Sequence, residues 1–160
     1  MTIWLGFDIE ITGEISARAL RQMRREAMKR TGAYWQQRQL PKHFTQTAST
    51  EYSMKRRGRK YQSRKRKIAR KGGRAPLVFT GMMELLMRRK QVVRAFPTRV
   101  SISIPGPSYM SMRPKGNRPN LGEEATRVNT KDQDELTKIH DQELQKLIDN
   151  YKPTRRRRIK

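Results

Sequence analysis

The chain has 160 residues, 38 of them Lys or Arg against 14 Asp or Glu, for a formal net charge of +24 and a pI near 11.4. With 34% hydrophobic residues and no cysteine, one modest core is feasible, while disulfides, thiolate metal sites and cysteine nucleophiles are excluded. No apolar run approaches the roughly 20 residues that span a bilayer, and Met1-Thr2-Ile3-Trp4-Leu5 has no basic region ahead of an apolar one, so neither a membrane span nor a signal peptide is expected.

A soluble intracellular product follows as the expectation, with one α+β domain over 1–151, a long basic loop at 42–74 within it and a basic tail at 152–160. So large a charge repels itself in a compact monomer, and a polyanionic or acidic partner relieves it.

Along the chain, Ile3, Leu5, Phe7, Ile9 and Ile11 alternate with Trp4, Gly6, Asp8 and Glu10. A period of two marks a half-buried strand. Thr12-Gly13-Glu14 breaks it. Ile15, Ala19, Met23, Ala27 and Thr31 then recur every four residues, with Leu20 and Tyr34 beside them. That stripe predicts a helix over 14–38, capped by Thr12 or Ser16 and ended by Pro41. Met23 and Met28 are core fillers. Arg18, Arg21, Arg24, Arg25, Lys29 and Arg30 take the opposite face.

No period holds over 42–73, which reads as a loop containing His43 and interleaved with Tyr52 and Tyr61. The stretch 55–86, KRRGRKYQSRKRKIARKGGRAPLVFTGMMELL, organises the chain: a basic run is handed abruptly to an apolar element. The basic run is either a solvated loop or an arm that lies on an acidic surface or a phosphate backbone. Thr80 or Gly81 then caps a short helix over 82–90, with Met83, Leu86 and Met87 inward. Residues 91–96 continue it or form a strand. Val100, Ile102 and Ile104 alternate with Arg99, Ser101 and Ser103 as a second clear strand, stopped by Pro105-Gly106-Pro107. Residues 108–129 read as loop. Thr130 and Gln133 fit a capping box that opens an acidic last helix, with a stripe of Leu136, Ile139, Leu144, Leu147, Ile148 and Tyr151. This helix can pair by charge with the basic first helix or contact a neighbouring subunit.

Chemistry has little to work with. His43 and His140 are the only histidines, without a spaced carboxylate set for a metal. Asp8 and Glu10 fall on one strand face, about 7 Å apart, and read as a solvated or salt-bridged face. No nucleophile elbow, phosphate loop or dinucleotide fingerprint occurs. A non-enzyme without cofactor or metal is expected. The candidate partner or phosphate contacts are Lys55, Arg56, Arg57, Arg59, Lys60, Arg64, Lys65, Arg66, Lys67, Arg70 and Lys71 in the basic stretch, and Arg155, Arg156, Arg157 and Arg158 in the tail. Tyr52 and Tyr61 are placed to stack on bases. No sequence-reading motif accompanies them.

The order of segments resembles the phage virion-morphogenesis or tail-completion proteins of the head–tail neck. Those carry a lysine-rich segment followed by a turn like Pro76-Leu77-Val78-Phe79-Thr80-Gly81, opening a short helix at Met82-Met83-Glu84-Leu85. Arg118-Pro119-Asn120-Leu121-Gly122 looks like the turn ahead of that family's last helix. The resemblance implies an α+β subunit with a small antiparallel sheet packed by a long N-terminal and a C-terminal helix. It also implies a homo-oligomeric ring that completes the tail or joins it to the portal, made in host cytoplasm and carried in the virion. Portal or adaptor and tail-tube proteins would be its partners, with phage DNA passing through the channel. The alternative is a nucleic-acid-binding protein without sequence preference, acting through its Lys/Arg clusters.

Overall fold

The computed structural model describes residues 2–6, 15–55, 57–68, 77, 81–89, 92–110 and 119–151. They form an α+β fold: a small antiparallel sheet packed by a long helix near the N-terminus, which in turn packs on a long helix near the C-terminus.

The sheet has three strands in the order β1-β3-β2, with β1 Thr2–Gly6, β2 Val92–Ala95 and β3 Arg99–Ser103. β3 is central. Thr2 sits opposite Ser103 and Gly6 opposite Arg99 on one side, and Val92 opposite Ser103 and Ala95 opposite Val100 on the other. The alternation around Val100, Ile102 and Ile104 is real, and all three are buried. Val93 and Ala95 share their face. β1 is shorter than the expected strand, and the Asp8 and Glu10 pair lies outside the described residues.

α1, Ala17–Tyr34, covers this face. Ser16 caps it, its Oγ accepting from the Ala19 N–H at 3.3 Å. Met23, Ala27, Met28 and Thr31 are buried, as the stripe predicts. The expected end does not hold. After Tyr34 the chain widens into a π-helical turn, Trp35–Gln39, where the Leu40 N–H reaches back to the Trp35 carbonyl. It then tightens into a 3₁₀ turn, Leu40–Phe44. Pro41 falls in the first turn of that 3₁₀ segment, where its missing N–H costs nothing. In a regular α-helix its ring would meet the carbonyl four residues back, and the wide turn removes that clash. Trp35 is fully buried by this arrangement. A buried aromatic of its size contributes on the order of 3–5 kcal/mol, more than the roughly 1 kcal/mol of one poorly made hydrogen bond.

Residues 42–68 are not a loop. They include the 3₁₀ turn, a helical turn α2, Ala48–Glu51, and a full helix α3, Arg59–Ile68. His43, Phe44, Ala48 and Tyr52 are buried in the main core, with Trp35, Leu40, Met83, Met87 and Leu136. α4, Met82–Arg89, begins where the turn chemistry predicts, and Met83 and Met87 face inward. Residues 108–129 also hold more order than expected: a 3₁₀ turn, Ser108–Met110, and α5, Leu121–Thr126. Asn120 caps α5, accepting from the Glu123 N–H at 3.3 Å. α6, Thr130–Asp149, is the acidic helix, but its cap is Asn129 rather than Thr130. The Asn129 Oδ1 accepts from the Asp132 N–H at 2.8 Å.

α6 lies against α1. Met23, Ala27 and Leu144 form a second small cluster there with Ile15, Ala19, Leu147, Ile148 and Tyr151. Arg30 reaches Glu143 across the seam at 2.8 Å. The expected charge pairing of the two helices is therefore made within one chain.

Candidate functional site

The basic stretch splits into two kinds of cation. The lead into α3 is tied to α5 through Glu124, which is buried. Its carboxylate accepts from the Lys55 backbone N–H at 2.9 Å and from both ends of the Arg57 guanidinium, at 3.1 and 2.5 Å. A bidentate pair is the strongest geometry a carboxylate offers a guanidinium. Arg57 also donates to the Lys55 carbonyl at 2.6 Å, and Gln62 donates to the Arg57 carbonyl at 2.9 Å. Arg57, a candidate phosphate contact by sequence, is thus a structural residue here.

Lys65 is a second correction. It is 3% exposed, with its ammonium 6.0 Å from the Tyr61 ring centroid. Burial, reinforced by the Arg57 charge, lowers its pKa to about 8. Helical spacing explains the difference. Positions 59, 60, 63 and 64 share one face of α3, and 61 and 65 share another. Arg59, Lys60, Ser63 and Arg64 are exposed. No carboxylate among the described residues pairs with Arg59, Lys60 or Arg64, and α3 itself contains no acid. Lys55 is exposed as well. Arg66 and Lys67 lie on α3, although their side chains are not described; Arg56, Arg70, Lys71 and Arg155, Arg156, Arg157 and Arg158 fall outside the described residues.

Tyr52 is the third correction. It is buried and stacks on His43, ring centroids 3.8 Å apart and planes 21° from parallel. Burial, with Asp132 opposite, raises its pKa. It is not available to a base. Tyr61 is 43% exposed.

The turn before α4 is partly described. Leu77 is buried, and Gly81 has φ of 84°, the left-handed region that favours glycine. The Gly81 carbonyl accepts from the Leu85 N–H at 3.0 Å and starts the helix. Pro76 and Thr80 lie outside the described residues. Beyond this turn several large apolar side chains are exposed. Met82 and Leu85 on α4 are 52% and 42% exposed, and Val92 and Phe96 at the hairpin are 55% and 41% exposed. Val92 and Phe96 stand on the sheet face turned away from α1, with the Arg99 guanidinium 4.9 Å from the Phe96 ring centre. β2 is an edge strand among the described residues.

A polar cluster closes the other end. Tyr34 donates to Glu135 at 2.5 Å. Gln39 donates to the Asp132 carbonyl at 3.0 Å and to Glu135 at 3.2 Å. The Lys42 ammonium lies 3.2 Å from both Asp132 and Glu135. The Tyr34 hydroxyl, then Gln39 and Lys42, hold Glu135 below the usual carboxylate range. Burial pulls Lys42 down, but Glu135 and Asp132 outweigh it and leave its pKa raised. Arg127 donates to the carbonyls of Tyr52 and Ser53 at 2.8 and 3.0 Å. The two ring nitrogens of His43 face the carbonyls of Arg127 and Gln39, at 2.7 and 3.3 Å. This cluster fastens 34–54 to the start of α6. A cleft of about 430 Å³ beside it balances Lys42 and Lys131 against Glu51 and Asp132, so it favours neither sign of ligand. No group of three or more His, Asp or Glu among the described residues is placed to hold a metal ion, and none of their helices is long and apolar enough to cross a membrane.

Sequence reasoning missed Glu124, which anchors the lead into α3. Its signal was local: Asn120 followed by Leu121-Gly122-Glu123-Glu124 is a cap with acids in the first turn. Comparison with protein-family models, curated proteins and solved structures found no match to this chain.

Proposed function

We propose that this chain is a structural subunit of a phage head–tail neck, assembling with further copies of itself into a ring that completes the tail or joins it to the portal. The observation that carries the reading is the exposure of large apolar side chains, Leu85 on α4 and Val92 and Phe96 at β2, which is an edge strand among the described residues. Large apolar side chains exposed at a strand that is an edge among the described residues favour an interface over solvent. A second copy is the occupant, because a chain with a small core gains most from repeated contacts of one kind, and a head-to-tail contact whose rotation closes makes a ring. The segment order supports the same assignment: strand, long helix, basic helix, α4 opening at Gly81, hairpin, last helix. Portal or adaptor proteins and tail-tube proteins are the neighbours such a ring would meet, and the assembled ring would reside in the virion.

Light scattering of the purified protein, freed of nucleic acid, tests this at low and at high salt. A discrete ring-sized mass is expected, or a monomer that assembles only on portal or tail protein. The double substitution Leu85→Glu and Val92→Glu should return the ring to monomers while leaving the melting temperature within a few degrees, because both side chains are already exposed. A chain that stays monomeric with every virion protein and is missing from purified particles overturns the proposal.

A further inference from the structure

We infer that the outward face of α3 is a nucleic-acid-binding surface that grips the phosphate backbone through Arg59, Lys60 and Arg64. This is independent of the ring reading. The face is preorganised: Glu124 fixes the segment leading into α3 through Arg57 and the Lys55 N–H, and Gln62 ties the first turn to the Arg57 carbonyl. What remains exposed on positions 59, 60, 63 and 64 is two arginines, a lysine and a serine. Lys60 and Arg64 are one turn apart, about 6 Å along the axis.

The composition of this face chooses between the two polyanions. Interfaces with protein are centred on aromatic or aliphatic anchors and are depleted in lysine. Positions 59, 60, 63 and 64 offer no such anchor, and the exposed aromatic of α3, Tyr61, lies on the adjoining face with Lys65. Interfaces with nucleic acid are polar and strongly positive, and their contacts go mainly to phosphate. A net charge of +24 supplies the long-range attraction. Arginine and lysine can meet a guanine edge as well as a phosphate, but no sequence-reading motif accompanies Arg59, Lys60 and Arg64, and Gln62 donates to the Arg57 carbonyl. Binding is therefore independent of sequence and steeply dependent on salt. Arg57, basic by sequence but paired with Glu124, holds the lead into the helix in place, and Lys65 is buried, so neither touches the ligand.

The test is fluorescence anisotropy of short labelled DNA, duplex and single-stranded, titrated with the full chain over a range of salt. Two triple variants carry equal charge loss: Arg59→Gln, Lys60→Gln and Arg64→Gln on α3, against Arg18→Gln, Arg21→Gln and Arg25→Gln on the exposed face of α1. The α3 variant should flatten the slope of log K against log salt by about 0.9 per contact on duplex and about 0.7 on single strands. The α1 variant should keep the parent slope. Thermal melting checks that both remain folded, and light scattering that the α3 variant keeps the parent mass, which separates this outcome from loss of a ring. Equal weakening by both variants assigns the attraction to net charge alone and overturns the proposal, as does unchanged binding by the α3 variant. Binding of polyglutamate as tight as that of DNA at the same salt overturns it in favour of an acidic protein.

Discussion

His43 sits with Nε2 2.7 Å from the Arg127 carbonyl, Nδ1 3.3 Å from the Gln39 carbonyl and its ring flat against Tyr52. Burial, only partly offset by those carbonyls, holds its pKa below the ordinary 6.5. The unfolded chain therefore takes up a proton first as pH falls through 6.5, and the folded state loses stability from there down to the folded pKa. The slope is at most about 1.4 kcal/mol per pH unit for one proton. Glu135 acts in a separate window: its depressed pKa gives stability that is present above 4.5 and is lost as pH falls below it. The expected result is a melting temperature that drops between neutral pH and about pH 5, with most of that drop absent in His43→Gln. A parent profile flat over that range would contradict a neutral His43. From sequence, His43 stood in a polar stretch with no period, and nothing local showed that Arg127 and Tyr52 enclose it. Lys65 and Arg57 were opaque for the same reason. Composition places lysine and arginine outside, and the partner that draws Arg57 inward, Glu124, is 67 residues away.

At the level of elements, legibility followed length and period. The stripe from Ile15 to Thr31, the alternation at Val100, Ile102 and Ile104, and the acidic first turn of α6 all predicted elements that formed. The 3₁₀ turn at Leu40–Phe44 and the single turn of α2 are too short to show a repeat, so burial of His43, Phe44 and Tyr52 left no pattern. The cap of α6 was displaced by one residue because Asn129 and Thr130 can both serve, and the Asn129 amide oxygen reaches the Asp132 N–H. Where α1 crosses the sheet, the close approach depends on Gly32. A Cβ there would lie 2.9 Å from Val100 Cγ2 and 3.2 Å from Val93 Cγ1. Both are short β-branched side chains, and Val100 is fully buried, so neither swings aside cheaply. Gly32→Ala gains up to about 1 kcal/mol of helix propensity and loses about 1–3 kcal/mol to overpacking. The net expectation is destabilisation on the order of 1 kcal/mol, read as a lower urea midpoint at unchanged m-value. A higher midpoint would mean that α1 shifts off the sheet freely.

For the whole molecule, the question is which electrostatic effect governs stability. Several ion pairs favour the fold, among them Arg30 with Glu143 and Lys42 with Asp132 and Glu135. The exposed pairs among them contribute about 0–1 kcal/mol each and weaken with salt, whereas the Lys42 pair with the 3% exposed Asp132 carboxylate is screened less. Against them stands the repulsion of a +24 chain, which salt also weakens, with a screening length of about 8 Å at physiological ionic strength. The buried Arg57–Glu124 pair is screened little and changes neither balance. Repulsion engages the whole surface and the ion pairs only a few places, so repulsion should win: the melting temperature should rise as salt is added from a low starting level. DNA should act in the same direction by binding the folded state, adding about 2.7 kcal/mol when its concentration is a hundredfold above Kd, and added salt should erase that gain. Differential scanning fluorimetry over a salt series, with and without duplex DNA, separates the two. A melting temperature that falls with salt in the absence of DNA would place the cluster at Lys42, Asp132 and Glu135 above self-repulsion. The fold would then be held by its acidic helix rather than strained by its charge, and the case for a polyanion as the relieving partner would lose its thermodynamic basis.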